Sequence, residues 1–150
     1  MFKVEFGQLI AIVVVALVLS LAILWIKRRW LSSRGGAFDC GLQIMNDKPS
    51  WMLGMALYEH DCLEWYRAFS LVPRPKIVIR RGAVSLIDRR IPDESEAFLL
   101  YDASEILQLS IDEGSKNRVV ELAMTTDSVV GLLSWLEAGP RTGVSYPGGE

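Results

Sequence analysis

From position 6 to position 26 the chain reads FGQLIAIVVVALVLSLAILWI, with no charged residue, and Ser20 is the single polar side chain between positions 9 and 26. At 1.5 Å of rise per residue, twenty-one helical residues extend about 31 Å, the thickness of a bilayer's hydrocarbon core. The pattern therefore predicts a transmembrane helix over 6–26. A cleaved signal peptide begins similarly, but three features oppose it here. The apolar run is longer than the ~7–15 residues such peptides use, Lys3 is offset by Glu5, and Lys27-Arg28-Arg29-Trp30 follows with no small-residue cleavage site.

Past a short basic linker at 27–36 the apolar positions begin to alternate, the signature of strands with one buried face. Strands are expected over 37–45, 51–59, 62–69, 76–81, 83–90, 104–111 and 117–124. Turn residues separate them: Asn46-Asp47-Lys48-Pro49, His60-Asp61, Pro73-Arg74-Pro75, Arg81-Gly82 and Asp112-Glu113-Gly114-Ser115. The period then changes. Thr125 heads a helix over 126–138 with Val129, Val130, Leu132, Leu133 and Leu136 on one stripe, and Gly139-Pro140 ends it.

Seven antiparallel strands followed by one helix is the element order of a pleckstrin-homology-like barrel, in which the helix closes an open mouth. A plain curved sheet with the helix across one face has the same periodicity. The domain is expected to span 37–139, with Trp135 in the helix plug. Residues 140–150, rich in Gly and Pro, read as a disordered tail. The acidic stretch 92–96 reads as a loop, and Trp51, Trp65, Tyr66, Phe69 and Phe98 as core. Trp65 and Tyr66 are neighbours on one strand, so one of them is expected to point outward, exposed.

Composition sharpens this division. Of 150 residues 51% are apolar, and segment 6–26 supplies eighteen of them. What remains is about 45% apolar, ordinary for a globular domain, and too short for a two-domain enzyme.

Charge fixes an expected orientation. Lys27, Arg28, Arg29 and Arg34 follow the apolar segment, whereas Lys3 alone precedes it, so residues 1–5 are expected outside the plasma membrane and the domain in the cytoplasm. Trp25, Lys27, Arg28, Arg29, Trp30 and Arg34 form the expected membrane-interface set. Cys40 and Cys62, neither in a CxxC pair, agree with a reducing compartment.

Candidate chemistry is sparse. His60 is the sole histidine and sits in a hairpin turn beside Asp61, a poor place to build a catalytic triad. A cluster of Cys40, His60, Asp61 and Cys62 lacks the close ligand spacing of zinc sites, and no glycine-rich phosphate loop is present. The sequence gives no catalytic, cofactor-binding or metal residue.

The charge distribution carries more. Residues 67–90 sum to +6 through Arg67, Arg74, Lys76, Arg80, Arg81, Arg89 and Arg90, and residues 93–150 sum to −8. The basic group reads either as a lipid or partner patch, with Arg80-Arg81 and Arg89-Arg90 at the ends of one hairpin, or as ordinary solvated charge. The acidic remainder argues against nucleic acid.

Several stretches together resemble a known family: Gly35-Gly36-Ala37-Phe38-Asp39-Cys40, Trp51-x-x-Gly54, Leu63-Glu64-Trp65-Tyr66-Arg67-Ala68-Phe69-Ser70, Arg74-Pro75, Val120-Glu121-Leu122-Ala123-Met124 and Trp135-Leu136-Glu137. They resemble the actinobacterial single-pass membrane proteins grouped as domain of unknown function 2550, over nearly the whole chain. The resemblance implies a gene beside the ATP synthase operon and brings no activity, so no catalytic residue is transferred. The expectation is a non-catalytic, membrane-anchored adaptor that docks a protein partner, accessory to ATP synthase or another membrane complex, without cofactor, nucleic acid or small-molecule substrate. The alternative is recognition of anionic lipid headgroups.

Overall fold

The computed structural model describes residues 6–100 and 105–139, so the expectations for 1–5 and for 140–150 lie outside the described residues. Helix α1 spans Phe6–Ser33, is long and apolar enough to cross a membrane, and buries none of its apolar window. It does not stop at the end of the apolar run. Lys27 to Ser33 continue it, since Lys, Arg, Trp and Leu are tolerable helix residues, and the break comes at Gly35-Gly36, where Gly36 takes φ 90°. The linker expected over 27–36 is thus helical as far as Ser33.

Seven strands follow: β1 (Ala37–Ile44), β2 (Trp51–Glu59), β3 (Cys62–Arg67), β4 (Ile77–Arg80), β5 (Val84–Arg90), β6 (Glu105–Asp112) and β7 (Asn117–Met124). They form one antiparallel sheet in the order β4-β3-β2-β1-β7-β6-β5, with β4 and β5 at its two edges. Arg80-Arg81 and Arg89-Arg90 therefore do not flank a paired hairpin, which corrects the sequence reading. Laid flat, seven strands would set β4 and β5 about 29 Å apart. The single 3-10 turn Arg81–Ala83 joins them, and four Cα steps reach about 15 Å at most. The sheet must therefore curl until the end of β4 comes near the start of β5, while remaining open along their edges.

Curling turns one face into the core. Leu42, Leu63, Trp65, Ile77, Ile79, Leu107, Leu109, Ile111, Val120, Leu122 and Met124 are buried together there with Val129 and Leu132 of the last helix. That helix, α3, spans Thr126–Glu137, its amino end capped by the Thr125 side chain accepting from the Ser128 backbone N–H. Trp135 is partly buried against the same core.

A short helix, α2 (Glu94–Leu99), replaces the loop expected at 92–96. Its cause is local: Asp93 accepts from the Glu96 N–H while the Glu96 side chain accepts from the Asp93 N–H, a reciprocal capping box. Two further corrections concern aromatics. Phe69 and Phe98 are 81% and 89% exposed and belong to no core. Tyr66 does face away from Trp65, yet both are buried, because Leu31 near the end of α1 packs on Tyr66 and Leu57 on the outer sheet face.

Candidate functional site

The membrane-interface residues expected from sequence cluster where α1 meets the domain, with one change of role. Lys27 is buried, and its ammonium donates to the carbonyls of Ser70 at 2.6 Å and Arg67 at 3.2 Å. It latches the start of the β3–β4 loop to the helix and does not offer a charge to solvent. Leu31 and an Arg34–Glu59 contact of 3.7 Å tie down the next turns. Arg29 lies over the Trp25 ring at 5.7 Å and Arg34 over Trp30 at 3.9 Å, cation–π pairs that hold both indoles at the helix exit.

Below this latch the Tyr66 hydroxyl donates to Glu64 at 2.6 Å, and burial, with Glu64 beside it, pushes the phenol up to about 12. Between α1 and the outer sheet face runs a groove of about 740 Å³, whose lining includes Leu24, Trp25, Arg28, Leu53, Met55 and Phe69.

The candidate basic patch divides in two. Arg81, Arg89 and Arg90 are already engaged. Arg81 pairs with Asp61 at 2.9 Å, donates to the His60 carbonyl at 3.1 Å and covers Trp135 at 4.9 Å. Arg89 pairs with Glu105. Arg90 binds both oxygens of Glu96, at 2.6 and 2.7 Å, and Glu121 at 2.9 Å. Hydrogen bonding to Arg90 is the chief reason the Glu96 carboxyl titrates below its ordinary value. These three arginines are held by carboxylates of their own domain. In contrast, Arg28, Arg29, Arg67, Arg74, Lys76 and Arg80 make no ion pair among the described residues.

Sequence reasoning missed the exposed apolar set of Leu86 and Ile87 on β5, Ile91 just after it, and Phe98 and Leu99 on α2. A signal existed: Phe98-Leu99 follows the acidic run after Ala97 alone, within reach of a capping-box helix.

Candidate ligands for a metal do not assemble. His60 occupies the hairpin tip with φ 54° and its side chain 90% exposed, Cys40 is buried in the core, and Cys62 sits two strands away. Among the described residues no group of three or more His, Cys, Asp or Glu is placed to hold a metal ion. Burial, and secondarily Asp39, pushes the Cys40 thiol far up, so Cys40 stays protonated in the folded protein. With an aromatic disulfide reagent at mild alkaline pH, one thiol, Cys62, should react in the native protein and two after denaturation. Two rapid native equivalents would place Cys40 outside the core.

One apolar helix long enough to cross a membrane, followed by a curled seven-stranded sheet and a carboxyl-terminal helix, defines a small mainly-β domain led by that helix. The chain belongs to the family described as protein of unknown function DUF2550, whose model matches residues 12–142. It is similar to an uncharacterised protein of Mycobacterium tuberculosis, 31% identical over 142 residues, covering 89% of this chain and 92% of that one. An uncharacterised protein of Mycobacterium leprae is 28% identical over 140 residues, with coverage of 89% and 92%. Nothing in these comparisons points to catalysis.

Proposed function

We propose that the chain is a non-catalytic membrane-anchored adaptor: a pleckstrin-homology-like domain held by α1 at the cytoplasmic face of the plasma membrane, docking a protein partner. The observation that carries this reading is the apolar set on β5 and α2. Five large apolar side chains between positions 86 and 99 stay exposed, Ile91 at 79% and Phe98 at 89%, and where such side chains gather into one patch they mark an interaction site. Aromatic anchors of the Phe98 type commonly dominate such interfaces. The positive charge following the apolar segment, at Lys27, Arg28, Arg29 and Arg34, supports the cytoplasmic orientation.

A photo-crosslinking residue at position 98 of the full chain, in its native membrane, should give a discrete protein adduct that one at position 116, on the far hairpin, does not. Phe98→Ser should leave the fold intact, and Ile91→Ser should abolish the adduct formed from position 98. Equal labelling from 98 and 116 would defeat the adaptor reading.

The second reading, attraction to anionic lipid, is favoured by Arg28, Arg29, Arg67, Arg74 and Lys76, which make no ion pair among the described residues. Each cation near an anionic leaflet contributes on the order of 1 kcal/mol. Arg74 and Lys76 are the positions at which charge reversal tests it, since Arg81 is committed to Asp61.

A further inference from the structure

We infer that the β3–β4 loop, residues 68–76, is a second membrane contact: a wedge that seats Phe69, Leu71 and Val72 in the interfacial layer of the leaflet from which α1 emerges. The inference rests on α1 crossing the bilayer. Three observations carry it.

The first is position. Lys27 directly follows Ile26, the last residue of the apolar run, so its ammonium lies at the hydrocarbon boundary, where lysines at helix ends extend toward the headgroups. That ammonium is bonded to Ser70 and Arg67 carbonyls. The loop is thereby fastened at the depth of the helix exit.

The second is what the loop presents. Phe69, Leu71 and Val72 are 81%, 53% and 55% exposed, in a segment with no regular structure in which Pro73 and Pro75 limit alternative conformations. In water Phe69 is left almost bare, and Leu71 and Val72 are only partly covered. In the interfacial region their apolar area is removed from water at no cost to the fold.

The third is charge. Arg67, Arg74 and Lys76 flank the apolar tip and Arg28 lies on the facing helix, none of them ion-paired among the described residues. The arginines of the opposite sheet edge are paired with carboxylates. Apolar side chains flanked along the loop by cations free of ion pairs among the described residues match an anionic leaflet, with hydrocarbon below and phosphate around it. Two attachments, helix and wedge, would fix the domain's tilt and so hold the Phe98 face in one direction.

Nitroxide labels in the full chain, in single-copy nanodiscs of phosphatidylcholine and phosphatidylglycerol and on a Cys62→Ser background, test this directly. Labels are placed at Phe69→Cys, Leu71→Cys, Val18→Cys within α1 and Lys116→Cys on the far hairpin. Positions 69 and 71 should be several-fold less accessible to a water-soluble nickel chelate than 116, and more accessible to oxygen. With Lys27→Gln, accessibility at 69 should rise toward that of 116. Aqueous behaviour at 69 and 71 with position 18 buried in lipid would overturn the wedge alone. An aqueous position 18 would overturn the membrane reading and the wedge with it. Accessibility at 69 unchanged by Lys27→Gln would remove the latch from the proposal. Since Phe69 and Leu71 are outside every core, the labels do not threaten folding.

Discussion

Gly54→Ala should cost the domain about 3 kcal/mol or more and broaden or abolish its cooperative unfolding. A Cβ at this position would stand 2.5 and 2.7 Å from Cζ2 and Cε2 of the Trp65 indole and closer still to the Tyr66 carbonyl oxygen. Neither neighbour can yield. The indole crosses β2 above Gly54 to donate its Nε1–H to the Cys40 carbonyl on β1 at 2.9 Å, a buried bond whose loss leaves unpaired polar atoms. The Tyr66 carbonyl belongs to the backbone of β3, paired with β2 through this stretch. Gly82→Ala is the control, because a Cβ there meets nothing within 4 Å. Denaturant unfolding of the detergent-solubilised chain, followed by tryptophan fluorescence, measures both. A Gly54→Ala loss no greater than that of Gly82→Ala would mean that Trp65 does not lie across β2.

The same packing explains what the sequence could and could not disclose. Strands β2 and β7 lie on the expected residues, 51–59 and 117–124, because each has one face turned to the core and is bounded by turn-forming residues. Helix α3 was legible through Thr125 and the Val129–Leu132 spacing. Helix α2 was not, since its six residues are too few to display a period, although the spacing of Asp93 and Glu96 is itself the capping-box pattern. Contacts between elements had no local trace. One of Trp65 and Tyr66 had to point outward, and the cover that Tyr66 finds there, Leu31, sits in a stretch that reads as basic linker. Arg81, Arg89 and Arg90 looked like one patch because their partners Asp61, Glu105, Glu96 and Glu121 come from four separate places in the chain. Pairing order across the sheet, which no single strand encodes, sent two of those basic pairs to opposite edges.

Arg90→Met should be the other severe substitution, with an expected loss of about 2–4 kcal/mol at neutral pH. It removes the fork on Glu96 and the bond to Glu121, leaving Glu121, whose side chain is 7% exposed, without its counter-charge. Arg90 itself is 36% exposed, so solvent screening places the effect below that of a fully buried pair. The pH dependence identifies the source. In the folded protein the Glu96 carboxyl titrates below its ordinary 4.5, chiefly through its hydrogen bonds from Arg90. Its stabilising contribution is therefore complete above that value and disappears as pH falls below 4.5 through the folded-state value. The parent should lose its lead over Arg90→Met across that acid range, in urea unfolding at a series of pH values. A gap constant from neutral pH down through it would mean that the Arg90–Glu96 pair is not what the substitution broke. Adding Glu121→Gln to Arg90→Met should recover part of the loss, since the remaining penalty of the single variant is a buried carboxylate with no cation beside it. Because the Glu96 side chain also closes the capping box at the start of α2, loosening it should release Phe98 from its fixed direction. A stability change at Arg90 would thus reach the proposed docking face without touching any residue on it.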